Sequence, residues 1–95
     1  MAAEARVVNN PDAGKYEVTL DGEPAGFAAY RLENSRVIFT HTEVDSAFEG
    51  HGVGSALARY ALDDVRERGL RAVPQCQFIA EYIERHPEYQ DLVAG

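Results

Sequence analysis

Two periods of apolar residues divide the chain. In the first half they alternate singly with polar ones. Tyr16, Val18 and Leu20 stand between Lys15, Glu17, Thr19 and Asp21, the period of two that marks a half-buried strand. Asp21-Gly22 supplies the residues of a tight hairpin turn. Ala25 to Leu32 reads as the returning strand and Glu33-Asn34-Ser35 as the next turn. Arg36 to Val44, rich in β-branched and aromatic residues, reads as a further strand. Val7 and Val8 begin a short strand ahead of these, closed by the turn-rich run Asn9-Asn10-Pro11-Asp12-Ala13-Gly14. The pattern predicts an antiparallel meander of about four strands.

Beyond Val44 the period changes. Val53, Ala56, Leu57, Tyr60, Ala61 and Val65 recur at intervals of three and four, which predicts an amphipathic helix. Its far side carries Ser55, Arg59, Asp63, Arg66 and Glu67. Asp64 and Arg68 stand one turn apart with the acid first, the favourable order for a helix pair, and Gly69 takes the position of a left-handed C-cap. Leu70 to Gln75 reads as a fifth strand, parallel to the fourth because a helix intervenes. Pro74 cannot donate to the ladder, so strands four and five are expected to part near it and leave a cleft. Phe78, Ile79, Tyr82, Ile83 and His86 share one face of a second helix. Pro87 ends it, and Pro87 to Val93 gives a further short turn. The expected architecture is a mixed α+β domain spanning residues 1–95: a meander, a glycine loop, a helix, a parallel fifth strand splayed from the fourth, and a C-terminal helix.

The glycine loop, Glu49-Gly50-His51-Gly52-Val53-Gly54-Ser55, lies between the fourth strand and the first long helix. Glycine at every second position leaves main-chain N–H groups uncovered where a helix begins. Such a start carries unpaired donors and roughly half a positive charge, a natural seat for phosphate. Gly50, His51, Gly52, Val53, Gly54 and Ser55 are therefore candidate cofactor-binding residues, His51 through its backbone N–H rather than its ring. The dinucleotide fingerprint fails, because Ser55 stands where its third glycine belongs, and no Gly-Lys-Ser/Thr follows.

The net charge of −7 argues against a nucleic-acid partner, which calls for a basic face, and mildly favours a basic one such as an amine. The single cysteine, Cys76, has no internal disulfide partner and no Cys/His cluster around it, so neither a disulfide framework nor a metal site is expected. No apolar run approaches the roughly 20 residues of a membrane helix, and the first residues lack a signal-like pattern. A cytoplasmic monomer is the expectation.

Further motifs frame the loop. His41-Thr42-Glu43-Val44 precedes it, and Val73-Pro74-Gln75-Cys76-Gln77-Phe78 and Arg85-His86-Pro87-Glu88-Tyr89 follow. In this order and spacing they resemble a small single-domain branch of the GNAT superfamily, the acetyl-CoA-dependent N-acetyltransferases. That superfamily's loop reads Gln/Arg-x-x-Gly-x-Gly/Ala; the last two glycines match here, and Glu49 departs from the first position. The resemblance implies acetyl-CoA in the split between strands four and five, its pyrophosphate on the loop and its pantetheine arm along strand four near Val44. It implies acetyl transfer to an amine, small molecule or protein, and leaves the acceptor open. A domain this small has few residues for an acceptor pocket, so a module that holds CoA or acetyl-CoA with little or no transfer is the alternative.

Three residues are candidates for the chemistry. Cys76 lies directly before a helix, a position that favours thiolate; it reads as an acyl-accepting nucleophile, an acid for the departing thiolate, or a buried inert thiol. His41 and Glu43, two apart on a strand, project to one face, together with Val37 and Phe39, and read as a base pair or as a solvated polar sheet end. Phe78 and Tyr82 fit the core or the wall of a thioester pocket. Arg85 reads as a surface arginine or a phosphate contact, and His86 as a helix C-cap.

Overall fold

The computed structural model describes residues 4–48, 50 and 52–94. Five strands form one sheet in sequence order: β1 (Ala5–Asn10), β2 (Lys15–Leu20), β3 (Glu23–Glu33), β4 (Arg36–Val44) and β5 (Arg71–Pro74). The first four pair antiparallel and β5 lies parallel to β4. Asp21 and Gly22 both take positive φ, at 50° and 83°, as a two-residue hairpin turn requires. Asn34 and Ser35, at 48° and 69°, make the same turn between β3 and β4 without a glycine.

Helix α1 (Val53–Glu67) and helix α2 (Gln77–Arg85) follow β4 and β5, with a short 3-10 turn at Ser46–Phe48 and another at Pro87–Leu92. The C-terminus of α1 is a Schellman motif. Gly69, at φ 68°, donates to the Arg66 carbonyl and Leu70 to that of Val65. His86 ends α2, its Nδ1 2.8 Å from the Tyr82 carbonyl oxygen.

The buried stripe of α1 is Val53, Leu57, Ala58, Ala61, Leu62 and Val65. It is rotated from the expected one: Ala58 and Leu62 are inside, while Tyr60 is 41% exposed and meets Tyr16 edge-on. These residues pack on Tyr16, Val18, Ala28, Val37 and Phe39 from the sheet and on Ile79 and Ile83 from α2. Full burial of each large aliphatic contributes roughly 1.5–3 kcal/mol. The far side of α1 is partly covered. Arg66 grips Asp91 through two nitrogens at 2.8 and 3.0 Å and the Glu88 carbonyl, and Tyr89 donates to Asp63 at 2.7 Å. The C-terminal turn is thereby clamped onto a face that periodicity assigns to solvent.

Tyr16 donates to Asp64 at 2.7 Å in the same way. Burial, and then the adjoining carboxylate, raise the phenols of Tyr16 and Tyr89 above the ordinary value of 10.0. A group raised by folding contributes stability below its unfolded pKa and loses it as the pH climbs. The urea midpoint is therefore expected to hold steady up to about pH 10 and to fall above it. Ionisation of Tyr16 and Tyr89, followed by ultraviolet absorbance, should lag and then coincide with unfolding. A midpoint insensitive to pH above that value would contradict the assignment.

Candidate active site

Strands β4 and β5 stay paired only from Arg36↔Arg71 to Phe39↔Pro74. Cys76 then donates its N–H to the Phe39 carbonyl at 2.9 Å, and the chain turns away into α2. No β5 pairing accompanies the rest of β4, Thr40 to Val44. The expected parting at Pro74 is present.

A β-bulge falls inside that stretch. Ala29 pairs with His41 and Tyr30 with Phe39, leaving Thr40 without a partner. One extra residue inverts the alternation. Phe39 is buried in the core beneath α1, and beyond the bulge it is Thr42 and Val44 that continue this face. Thr42 Oγ1 lies 3.1 Å from Cys76 Sγ, and Val44 Cγ2 lies 3.5 Å from where a Gly54 Cβ would stand. His41 and Glu43 therefore do not share a face with Val37 and Phe39. They look out from the open side of the sheet, each 61% exposed, with His41 Nε2 3.4 Å from Glu43 Oε2. The Phe27 ring stands edge-on to His41 at 6.0 Å.

The glycine loop meets α1 as a bare helix start. Gly52 is the N-cap at φ 72°, with no side-chain cap, and among the described residues the helical bonding begins with the Ala56 N–H donating to the Gly52 carbonyl at 3.0 Å. The N–H groups ahead of Ala56 lie too early in the helix to have an acceptor within it. Side chains added at Gly50 or Gly52 would meet open space, whereas one at Gly54 would strike the Phe78 ring at 2.7 Å. The absence of side chains here opens a groove of ≈ 330 Å³, lined by Val44, Phe48, Gly50, Gly52, Val53, Gly54, Ser55 and Phe78. Donor-rich backbone forms one wall and apolar side chains the other, which fits a phosphate joined to an aliphatic arm.

Of the sequence-derived cofactor residues, Val44, Gly50, Gly52, Val53, Gly54, Ser55 and Phe78 thus share one groove. Phe78 is 37% exposed and on the groove wall rather than in the core. His51 and Glu49 lie outside the described residues. Cys76, 8% exposed, is not among the groove-lining residues and rests on Thr42. The three candidate chemical residues are not one cluster: the sheet separates the His41–Glu43 pair from Cys76. Phe48 and Thr42 were not singled out by sequence. Phe48 arrives through the 3-10 turn capped by Asp45, which accepts the Ala47 N–H at 2.9 Å. Among the described residues, no group of three or more His, Cys, Asp or Glu is arranged to hold a metal ion, and no helix is long and apolar enough to cross a membrane.

Comparison with known proteins agrees with this geometry. Residues 15–92 match the model of the GCN5-related N-acetyl-transferase family. The chain is 33% identical over 89 residues to protein NATD1 of Mus musculus, covering 92% of this chain and 81% of that one. It is 44% identical over 54 residues to the streptothricin acetyltransferase of Streptomyces lavendulae, covering 55% of this chain but 29% of that enzyme. The NMR solution structure of a GCN5-like protein from Staphylococcus aureus superposes with a TM-score of 0.73 at 25% identity, over 95% of this chain and 88% of that one. A sheet that parts at its parallel pair, a glycine-walled helix start beside the gap, and a family match spanning both place this chain in the GCN5-related N-acetyltransferase family.

Proposed function

We propose that the chain is an acetyl-CoA-dependent N-acetyltransferase acting on an amine, and that transfer is direct. The observation that carries this reading is the continuity of the bare start of α1 with the apolar groove and the parting of β4 from β5. The N–H groups of Val53, Gly54 and Ser55, which have no acceptor within the helix, would hold the diphosphate. Val44, Phe48 and Phe78 would enclose the arm. When bound, acetyl-CoA supplies an acetyl group already activated as a thioester.

The chain's own groups then divide the remaining work by side of the sheet. His41 accepts a proton from the amine on the open face, and Glu43, 3.4 Å away, stabilises the imidazolium that results. Cys76 Sγ lies 3.1 Å from Thr42 Oγ1, to which it donates, at the inner end of the split. An adjacent base is one of the ways a cysteine nucleophile is activated. Among the described residues the β4 imidazole, His41, faces away from Cys76 beside Glu43, which favours attack by the amine itself over an acyl-cysteine.

The test is thiol release. Protein mixed with acetyl-CoA and a panel of primary amines should liberate free CoA in proportion to protein, with His41→Ala shifting the pH–rate profile. Acetyl-CoA binding without release for any amine class would instead favour a carrier module. No binding by calorimetry would overturn the reading altogether.

A further inference from the structure

The glycine-walled groove continues past the helix start. A side cavity of ≈ 120 Å³ opens between α1 and α2, lined by Ser55, Phe78, Glu81, Tyr82, Arg85 and His86. Ser55 and Phe78 line both spaces. Helix α2 thus runs outward along a single path, from Cys76 at the split, past Phe78 on the groove, to Arg85 on the side cavity.

The polar groups of this cavity are not equivalent. His86 stands with Nδ1 2.8 Å from the Tyr82 carbonyl. That oxygen only accepts, so Nδ1 carries the proton and the neutral ring offers a lone pair at Nε2. Its face is taken as well, stacked on Tyr82 at 3.9 Å. Glu81 accepts from Gln77 Nε2 at 3.1 Å and is itself an anion. Arg85 remains as the strong donor. It is exposed on the last turn of α2, and among the described residues it makes no ion pair, whereas Arg66 and Arg68 are committed to Asp91 and Asp64.

This arrangement matters for a polyanion approaching a chain of net charge −7, where a local cation must offset the general repulsion. With the diphosphate on the start of α1 and the apolar arm directed toward the split, the nucleotide leaves the helix start on the other side, where the side cavity lies. The nucleotide of coenzyme A carries a further phosphate, a monoester on the ribose 3′-oxygen. We propose that Arg85 receives this 3′-phosphate and makes the chain discriminate coenzyme A from 3′-dephospho-coenzyme A. This inference rests on the coenzyme A reading above.

Calorimetric titration of the whole chain with each of the two ligands tests it, with no turnover required. The unaltered chain should bind coenzyme A about tenfold more tightly than the dephospho form, as one charge-assisted contact allows. Arg85→Ala should bind both equally, at the weaker value, with an unchanged circular dichroism spectrum. Glu81→Gln, which removes a like charge, should tighten coenzyme A without altering the dephospho form. Equal affinities in the unaltered chain, or a preference that survives in Arg85→Ala, would overturn the role of Arg85 while leaving the coenzyme A reading standing. Failure of both ligands to bind would overturn both.

Discussion

Gly52→Asp is expected to weaken acetyl-CoA binding by about a hundredfold and to leave the fold in place. Two unit charges about 4 Å apart repel by about 4 kcal/mol at an effective dielectric of 20, of order a thousandfold in affinity. Solvent in an open groove reduces that toward a hundredfold. The substitution suits the question because its structural cost is small. A side chain at Gly52 meets nothing within 4 Å. Its φ of 72° is a left-handed conformation that aspartate tolerates better than most residues. Aspartate is also a favoured residue ahead of a helix, so its carboxylate competes for the donors a diphosphate would use. Gly52→Asn shares the size and backbone tolerance without the charge, and should lose far less affinity. Calorimetry with acetyl-CoA and thermal melting of both variants check the prediction. Equal binding by Gly52→Asp and the unaltered chain would remove the helix start from the site.

Why the loop was legible and the chemistry was not follows from the range of the interactions. The turns at Asp21-Gly22 and Gly69, the i,i+4 pair Asp64–Arg68 at 3.1 Å and the parting at Pro74 depend on neighbours in sequence, and each lies where local rules put it. The same holds for the glycines of the groove, whose effect is to leave backbone bare. The faces of β4 depend instead on one unpaired residue. Nothing in the Thr40 side chain announces a bulge, and once it is there His41 and Glu43 exchange sides relative to Phe39. Cys76 and Thr42 meet across 34 positions of sequence, as Tyr16 and Asp64 do across 48. Periodicity places each of these on a face but cannot pair them. The clamp of Arg66 on Asp91 likewise turns a polar helix side into an interface, because charged residues cover neighbouring chain as readily as they face water.

The end of β4 lies close against β3, and Gly26 is where that closeness can be measured. Gly26 stands between Val18 on β2 and Val44 on β4. A Cβ there would fall on the Glu43 carbonyl oxygen, with the Val44 Cα at 3.1 Å. Both obstacles are backbone, so no rotamer change relieves them. Asp45 fixes the strand end further by donating to the Ala25 carbonyl at 2.7 Å. Gly26→Ala must therefore prise β3 from β4, at a cost of about 2–3 kcal/mol, or a melting temperature lower by roughly 10–20 °C. Gly22→Ala is the comparison. Its φ of 83° is unfavourable for alanine, yet an added Cβ meets nothing within 4 Å, so the cost is the backbone term alone, about 1–2 kcal/mol. Crowding at Gly26 should also reach the groove, because the residue that must give way is Val44, a groove wall. Gly26→Ala is thus expected to weaken acetyl-CoA binding even at temperatures where it remains folded, whereas Gly22→Ala should bind as the unaltered chain does. Melting curves and titrations on the two variants decide between close strand packing and turn geometry as the reason glycine occupies position 26. A smaller loss for Gly26→Ala than for Gly22→Ala would show that β3 and β4 can separate at Val44, and the groove wall would then be set by something other than this contact.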